Sequence, residues 1–241
     1  MRLKFIALIA VATLSLPAAV SAEIPTLQAM PSAVAMTLHS GTTHLSDHAV
    51  AYVPKSVKNP APLILLLHGS NTDAEGFIDE FRSEADHRGA ILLAVDPATH
   101  WTLKPDGQGG ADFGPDTATI DKALQALFAK APIDPARTAI LGFSDGASYA
   151  LSLGLSNPSL FHGVVALSPG SAWLPPGIDK NQRIFVSHGM RDEVLPYKNT
   201  HDVIVPGLQA AGLQVKTHWL NAGHDIDRRV VAEALDYVLG Q

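Results

Sequence analysis

The sequence predicts a single α/β domain: a mostly parallel central sheet with helices on both faces and antiparallel strands at its N-terminal side. Three observations carry this. From Pro62 onward, apolar runs of strand length alternate with longer segments of helical periodicity. One run, PLILLLHG, is apolar throughout, as a strand covered on both faces must be. Proline and glycine are scattered between these segments as punctuation, and no stretch reads as a linker, repeat or low-complexity tract.

Taken in order, the chain opens on MRLK, a basic start, followed by the apolar FIALIAVATLSL and then PAAVSA. Small residues at Val20 and Ala22 suit a cut before Glu23, and the apolar run is too short to span a bilayer comfortably. Residues 1–22 are therefore expected to be a secretory signal, with residues 23–241 forming one domain, exported to the periplasm or the medium. No integral membrane segment is expected once the signal is removed. Removing Arg2 and Lys4 from the 17 basic residues leaves 15 against 23 acidic ones, a formal charge of −8. That balance argues against nucleic acid or an anionic membrane as partner. With no cysteine there is neither a disulfide nor a lipid-anchoring thiol, so stability must come from the core. A domain of this size buries about 70% of its unfolded surface.

Segments 33–40 (AVAMTLHS) and 48–54 (HAVAYVP) read as two antiparallel strands. Helices are predicted at 74–88, 116–130, 146–156, within 197–211 and at 227–239. Strands are predicted at the PLILLL run, 90–96, 137–143, 163–168, 183–188 and 214–220. In the 116–130 helix, Ile120, Leu124, Leu127 and Phe128 share one face; in the last helix Val231, Leu235 and Val238 do.

The chemistry concentrates in TAILGFSDGASYALSLGLS, residues 138–156. A buried strand must turn into a buried helix within about four residues, and Ser144 stands at the apex. Gly142 and Gly146 remove side chains that would collide there. This is the G-x-S-x-G nucleophile elbow, with the helix N-terminus favouring negative charge beside the hydroxyl. Such a serine needs an imidazole base held by a carboxylate, in the chain order serine, acid, histidine. RIFVSHGMRDEVLP supplies Asp192, with Glu193 and Asp179 as lesser candidates. VKTHWLNAGHDIDRR supplies His224, with Asp225 or Asp227 free to cap the last helix. His68 and His188, each preceding a glycine at a strand end, read as residues that hold loops. The backbone N–H groups of Asp145 and Ser70 are the expected oxyanion donors, with Asn71 as alternative to Ser70. Neither a metal nor a cofactor is expected: HDID reads as a base plus a helix cap, and no H-E-x-x-H occurs.

On LILLLHGSNTD, GFSDGASYALSLGLSNPSLFHGVVALSPG, HGMRDEVLP and NAGHDI, the chain resembles the serine α/β-hydrolases, and among them the small phospholipase/carboxylesterase type. The block from Asp112 to Ala147 is also similar to polyhydroxybutyrate-depolymerase-like esterases. The resemblance extends over nearly the whole mature chain. It implies the α/β-hydrolase fold, a Ser144–His224–Asp192 triad, and hydrolysis of a small-molecule carboxylic ester through an acyl-enzyme. Many relatives carry glutamine after the nucleophile; Asp145 here adds negative charge and disfavours anionic substrates. The long 97–116 loop offers Trp101 and Phe113, and the 168–182 loop offers Trp173, as pocket residues or as aromatics that pin their loops. The 168–182 segment has room for no more than a minimal lid. Thioesterase, polysaccharide deacetylase, polyester-oligomer hydrolase, peptidase and a non-catalytic binding module remain open alternatives, as does the oligomeric state.

Overall fold

The structure, a computed structural model, describes residues 24–105 and 110–240. The expected signal segment lies outside the described residues. The elements follow in order: β1 (Gly41–Ser46), β2 (Ala49–Val53), β3 (Ala61–Leu67), α1 (Ala74–Arg88), β4 (Ile91–Val95), the two-residue β5 (Lys104–Pro105) and β6 (Ala111–Asp112), α2 (Asp116–Phe128), β7 (Ile133–Phe143), α3 (Asp145–Ser156), β8 (Gly163–Leu167), β9 (Arg183–Gly189), α4 (Tyr197–Asn199), α5 (Val205–Ala210), β10 (Val215–Leu220) and α6 (Arg228–Leu239). Eight strands form one sheet in the order β1-β2-β4-β3-β7-β8-β9-β10. From β4 to β10 every neighbouring pair is parallel; β2 runs antiparallel to both β1 and β4.

Strand alternation divides the core into two layers. Leu63, Leu65 and Leu67 of β3 join a cluster with Ile120, Leu124 and Leu127 of α2 and Tyr149 and Leu153 of α3. Ile64 and Leu66 face the other way, toward Phe77 and Phe81 of α1 and Val231 and Leu235 of α6. Each such fully buried Leu, Ile or Phe contributes about 1.5–3 kcal/mol. Among the described residues, no helix is long and apolar enough to cross a membrane.

Local chemistry sets the ends of the helices that flank the site. Asp73 caps α1 by accepting from the Gly76 N–H at 2.8 Å, and Gly89 closes it with φ 62°. Asp227 caps α6 by accepting from the Arg229 N–H at 2.8 Å. This settles the capping alternatives for α6 in favour of Asp227.

Two expectations are corrected. The first strand is 41–46, not 33–40. The earlier segment runs outside the sheet, with Met36 and Leu38 packed on the core and the Thr37 N–H donating to the Lys130 carbonyl at 2.8 Å. Its alternating pattern reflects an extended chain lying across the core edge, which has the same period as a strand. The helix expected within 197–211 is interrupted by a wider π segment over 200–204 before Pro206. Proline brings no N–H to the ladder, and the turn ahead of it loosens.

Candidate active site

The elbow forms where β7 ends against α3. Ser144 has φ 60° and ψ −123°, and its N–H donates to the Leu167 carbonyl of β8 at 3.0 Å. A non-glycine residue in this region stores about 1–3 kcal/mol of strain, sustained only by close packing around it. The packing is tight: a Cβ on Gly142 would stand 2.1 Å from the Gly146 carbonyl oxygen, and one on Gly146 would stand 2.3 Å from the carbonyl oxygens of Leu67 and His68. Both elbow glycines are thus required by close backbone approach, one within the turn and one against β3.

Three loops at the same sheet edge bring the expected side chains together. His224 Nε2 is 2.9 Å from Ser144 Oγ, and His224 Nδ1 is 2.6 Å from Asp192 Oδ2. A carboxylate only accepts, so Nδ1 carries the hydrogen and Nε2 offers its lone pair to the serine hydroxyl. The Phe143 ring packs on the His224 imidazole at a centroid distance of 4.7 Å. The Asp192 side chain is fully buried, and that of His224 is partly exposed on the cavity side. Burial by itself would raise the Asp192 pKa. Hydrogen bonds from His224 and from the Leu195 and Val194 amides outweigh it and hold the carboxyl below its ordinary range. Glu193 and Asp179 do not make these contacts; Asp179 accepts from Asn181.

A glycine that the sequence reading passed over brings the acid and base loops together. A Cβ on Gly189 would stand 2.0 Å from the Gly223 carbonyl oxygen and 2.6 Å from that of Ala222. The two loops are then joined by the Met190 N–H to Leu220 O at 2.7 Å and the Arg191 N–H to Ala222 O at 3.0 Å.

His68 holds the loop after β3. Its Nδ1 is 2.6 Å from the Gly69 carbonyl oxygen, and its Nε2 is 3.0 Å from Asp96 Oδ1, which also accepts from the Ala74 N–H at 2.7 Å. A trans peptide points its N–H opposite to its C=O, so the Ser70 N–H faces away from His68. Gly69 itself lies close against the elbow, where a Cβ would be 3.2 Å from Ser144 Cβ. Asp145 opens α3, and its Oδ1 accepts from the Gly146 N–H at 3.1 Å. Burial makes it a weaker acid than usual, opposed in part by that amide.

A cavity of about 390 Å³ opens over Ser144 and His224. Phe77, Phe143, Val194 and Ile226 give it apolar walls; Ser70, Asn71, Thr72 and Glu80 supply polar ones. Of the three aromatic candidates, none lines this cavity. Phe113 is buried, with its ring against Tyr149 and Trp173 and its carbonyl accepting from Tyr149 Oη at 3.0 Å. Trp101 donates from Nε1 to the His68 carbonyl at 2.8 Å and edges a neighbouring cleft beside Ser70 and Asp145. Trp173 borders a separate hollow with Leu103 and Ala172. Phe113 and Trp101 pin the 97–116 loop to the core because their rings find a buried tyrosine and a backbone acceptor there.

The 168–182 loop is pinned by serines that sequence reasoning passed over. Ser148 Oγ accepts from the Gly170 and Ser171 N–H groups at 2.9 and 3.1 Å, and Ser152 Oγ accepts from the Trp173 N–H at 2.9 Å. The spacing S-x-x-x-S along α3 was the available signal, since residues four apart share a helix face.

A mostly parallel sheet wrapped by helices, with this elbow and this ordered trio at its C-terminal edge, defines the α/β-hydrolase class. A family model described as Phospholipase/Carboxylesterase matches residues 99–239. The chain belongs to that family. The match covers a shorter stretch than the sequence resemblance implied; β1 to β4 and the loop carrying His68 and Ser70 precede it. A protein described as "Putative esterase NocK" from Nocardia uniformis subsp. tsuyamanensis is 31% identical over 117 residues, 44% of this chain. The chain covers 32% of that relative, about a third of its length. Among solved structures, esterase PE8 is 22% identical with a TM-score of 0.62, over 78% of this chain and 95% of its own. A carboxylesterase from Mesorhizobium loti is 20% identical with a TM-score of 0.62, over 84% and 100%. An acetyl xylan esterase from Aspergillus awamori is 14% identical with a TM-score of 0.63, over 81% and 98%. At these identities the likeness is one of fold.

Proposed function

We propose that this protein is an exported serine carboxylesterase acting on small, uncharged esters. The observation that carries the reading is the unbroken contact from Ser144 Oγ through His224 to the buried Asp192, at 2.9 and 2.6 Å, with its serine end in the open cavity. In this reading Ser144 Oγ attacks the ester carbonyl carbon while His224 Nε2 takes the hydroxyl proton. The oxyanion is received by the Ser70 and Asp145 N–H groups, each lowering the barrier by about 3 kcal/mol. The imidazolium, steadied by Asp192, returns its proton to the leaving alcohol. Water, deprotonated by the same histidine, then releases the acid and restores the serine.

The cavity supports the substrate class. Its apolar walls suit a short acyl chain, and Glu80 in its wall, with Asp145 in the neighbouring cleft, disfavours anionic esters. Replacing Ser144 with Ala should abolish turnover of aryl acetates and butyrates while the unfolding transition stays cooperative; retained turnover would contradict the assignment. A panel adding acetylated xylan and hydroxybutyrate oligomers ranks the natural substrate classes. Export rests on the charge and apolar pattern of residues 1–22. Mature protein from the periplasm or medium should begin at Glu23, and an intact Met1 start there would refute it.

A further inference from the structure

The mechanism above leaves a buried imidazole unused. His188 has no exposed side-chain surface and stands at the end of β9, four residues before Asp192. Its Nε2 is 3.1 Å from Asp192 Oδ2 and 2.9 Å from the Leu195 carbonyl oxygen. Both of these atoms only accept, so Nε2 carries a hydrogen. The other three contacts to this carboxylate are the Val194 and Leu195 N–H groups on Oδ1, at 2.9 and 2.8 Å, and His224 Nδ1 on Oδ2. A carboxylate has about four lone-pair sites. The Nε2–H hydrogen-bonds to the Leu195 carbonyl, and the same nitrogen is the fourth polar neighbour of the carboxylate, at the oxygen that also meets the base of the triad.

On the far side of the ring, Nδ1 is 2.8 Å from Thr200 Oγ1, which is itself 2.8 Å from the Pro169 carbonyl oxygen. Thr200 has one hydroxyl hydrogen. That hydrogen goes to the Pro169 carbonyl, which can only accept, so Thr200 ties the Nδ1 edge of the ring to the backbone at 169 and leaves the Nε2 edge facing Leu195 and Asp192. Burial drives the ring toward its neutral form, against the pull of the Leu195 carbonyl and Asp192. A neutral ring packed at Oδ2 brings no positive charge to Asp192, so the whole negative charge stays available to the imidazolium that forms at His224. The Tyr197 ring packs edge-on against His188, at a centroid distance of 6.1 Å.

We propose that His188 is a positioning residue for the reaction: together with Thr200 it holds the Asp192 carboxylate in the orientation that aims Oδ2 at His224 Nδ1. The proposal rests on the serine-esterase reading above. It assigns the HG pair of HGMRDEVLP a role in the chemistry beyond closing a loop.

The test compares His188→Phe, His188→Gln and Thr200→Val with the wild type on a soluble aryl ester. Rates are expressed per site labelled by a fluorophosphonate, so that misfolded protein is not counted. His188→Phe should lower kcat by about tenfold or more with KM unchanged, the cost of losing the Leu195 hydrogen bond and the polar contact at the buried carboxylate. His188→Gln, whose amide N–H can occupy the place of the ring Nε2–H, should recover most of that loss. The downfield proton NMR signal of His224 Nδ1–H should shift or broaden in His188→Phe and return toward its wild-type position in His188→Gln. A folded His188→Phe with wild-type kcat and an unmoved signal would overturn the proposal. Should that variant fail to fold, Thr200→Val decides: it releases the ring without touching Asp192, so a moved signal and reduced kcat support the role, and coincidence with wild type overturns it. Ser144→Ala separates the two readings. If it is inactive while the His188 variants are unaffected, only this inference falls; if it stays active, the esterase reading falls as well.

Discussion

At the strand ends, single residues decide how loops are aimed. Among the described residues, two non-glycines have positive φ, Ser144 at 60° and Ser168 at 52°. They follow neighbouring strands, and each donates its N–H to the next strand over, Ser144 to Leu167 and Ser168 to Ser187. His68 acts by charge as well as shape. Both of its ring nitrogens face acceptors, which favours the imidazolium. Burial pulls its pKa down, but Asp96 and the Gly69 carbonyl outweigh that and raise it. Asp96 moves the opposite way: burial would raise it, yet His68 and the Ala74 amide hold it low. A raised histidine stabilises fully below its unfolded pKa of about 6.5 and loses this as pH climbs through the folded value. A lowered aspartate stabilises above its unfolded pKa of about 3.9 and loses this as pH drops through the folded value. The pair therefore contributes most between about pH 4 and 6.5. Unfolding midpoints of wild type and Asp96→Asn should differ most in that window and converge on either side. A gap of constant size across pH would contradict the pairing.

At the level of elements, the close contact of Gly189 with the 222–223 backbone sets the distance between the acid and base loops. A methyl group there meets backbone, not a flexible side-chain tip. Gly189→Ala should therefore destabilise the fold by about 1–3 kcal/mol and, by displacing Asp192 from His224, lower kcat about 100-fold. Gly207, in a helix with open space around its Cα, serves as the control. Gly207→Ala should leave both stability and kcat at or slightly above wild type. Equal effects at the two positions, in unfolding and steady-state assays, would contradict this account. The strands and helices of the parallel region were legible because their burial is regular: β3 is apolar on both faces, and α6 buries Val231, Leu235 and Val238 on one side. The N-terminal strand was not, because an extended segment crossing the core edge alternates just as a strand does. The true β1, GTTHLS, is half-exposed at the sheet edge and carries little apolar signal. The π segment was hidden because its cause, Pro206, acts on the turn before it.

For the molecule as a whole, parallel topology makes the site. Strands β7, β9 and β10 all end at the same sheet edge and deliver Ser144, Asp192 and His224 there, while β8 between them supplies the carbonyl that anchors the elbow. This much could be read from the chain, since the order of serine, acid and histidine follows from which strands precede them. What could not be read was contact between distant segments. Trp101 and Phe113 carry the composition of pocket aromatics, and their burial depends on Tyr149 and the His68 carbonyl, which lie far away in sequence. Glu80 gives no sign in sequence that α1 places it in the wall of the cavity over Ser144. The central claim is that Ser144 is a nucleophile activated by His224 and Asp192. Peptide-level mass spectrometry after treatment with an aryl fluorophosphonate tests it most directly. A single adduct on the Ser144 peptide, forming in step with loss of esterase activity and strongly slowed in His224→Ala, is the predicted result. Full inactivation with the label elsewhere, or ester turnover that persists with Ser144 fully labelled, would contradict it.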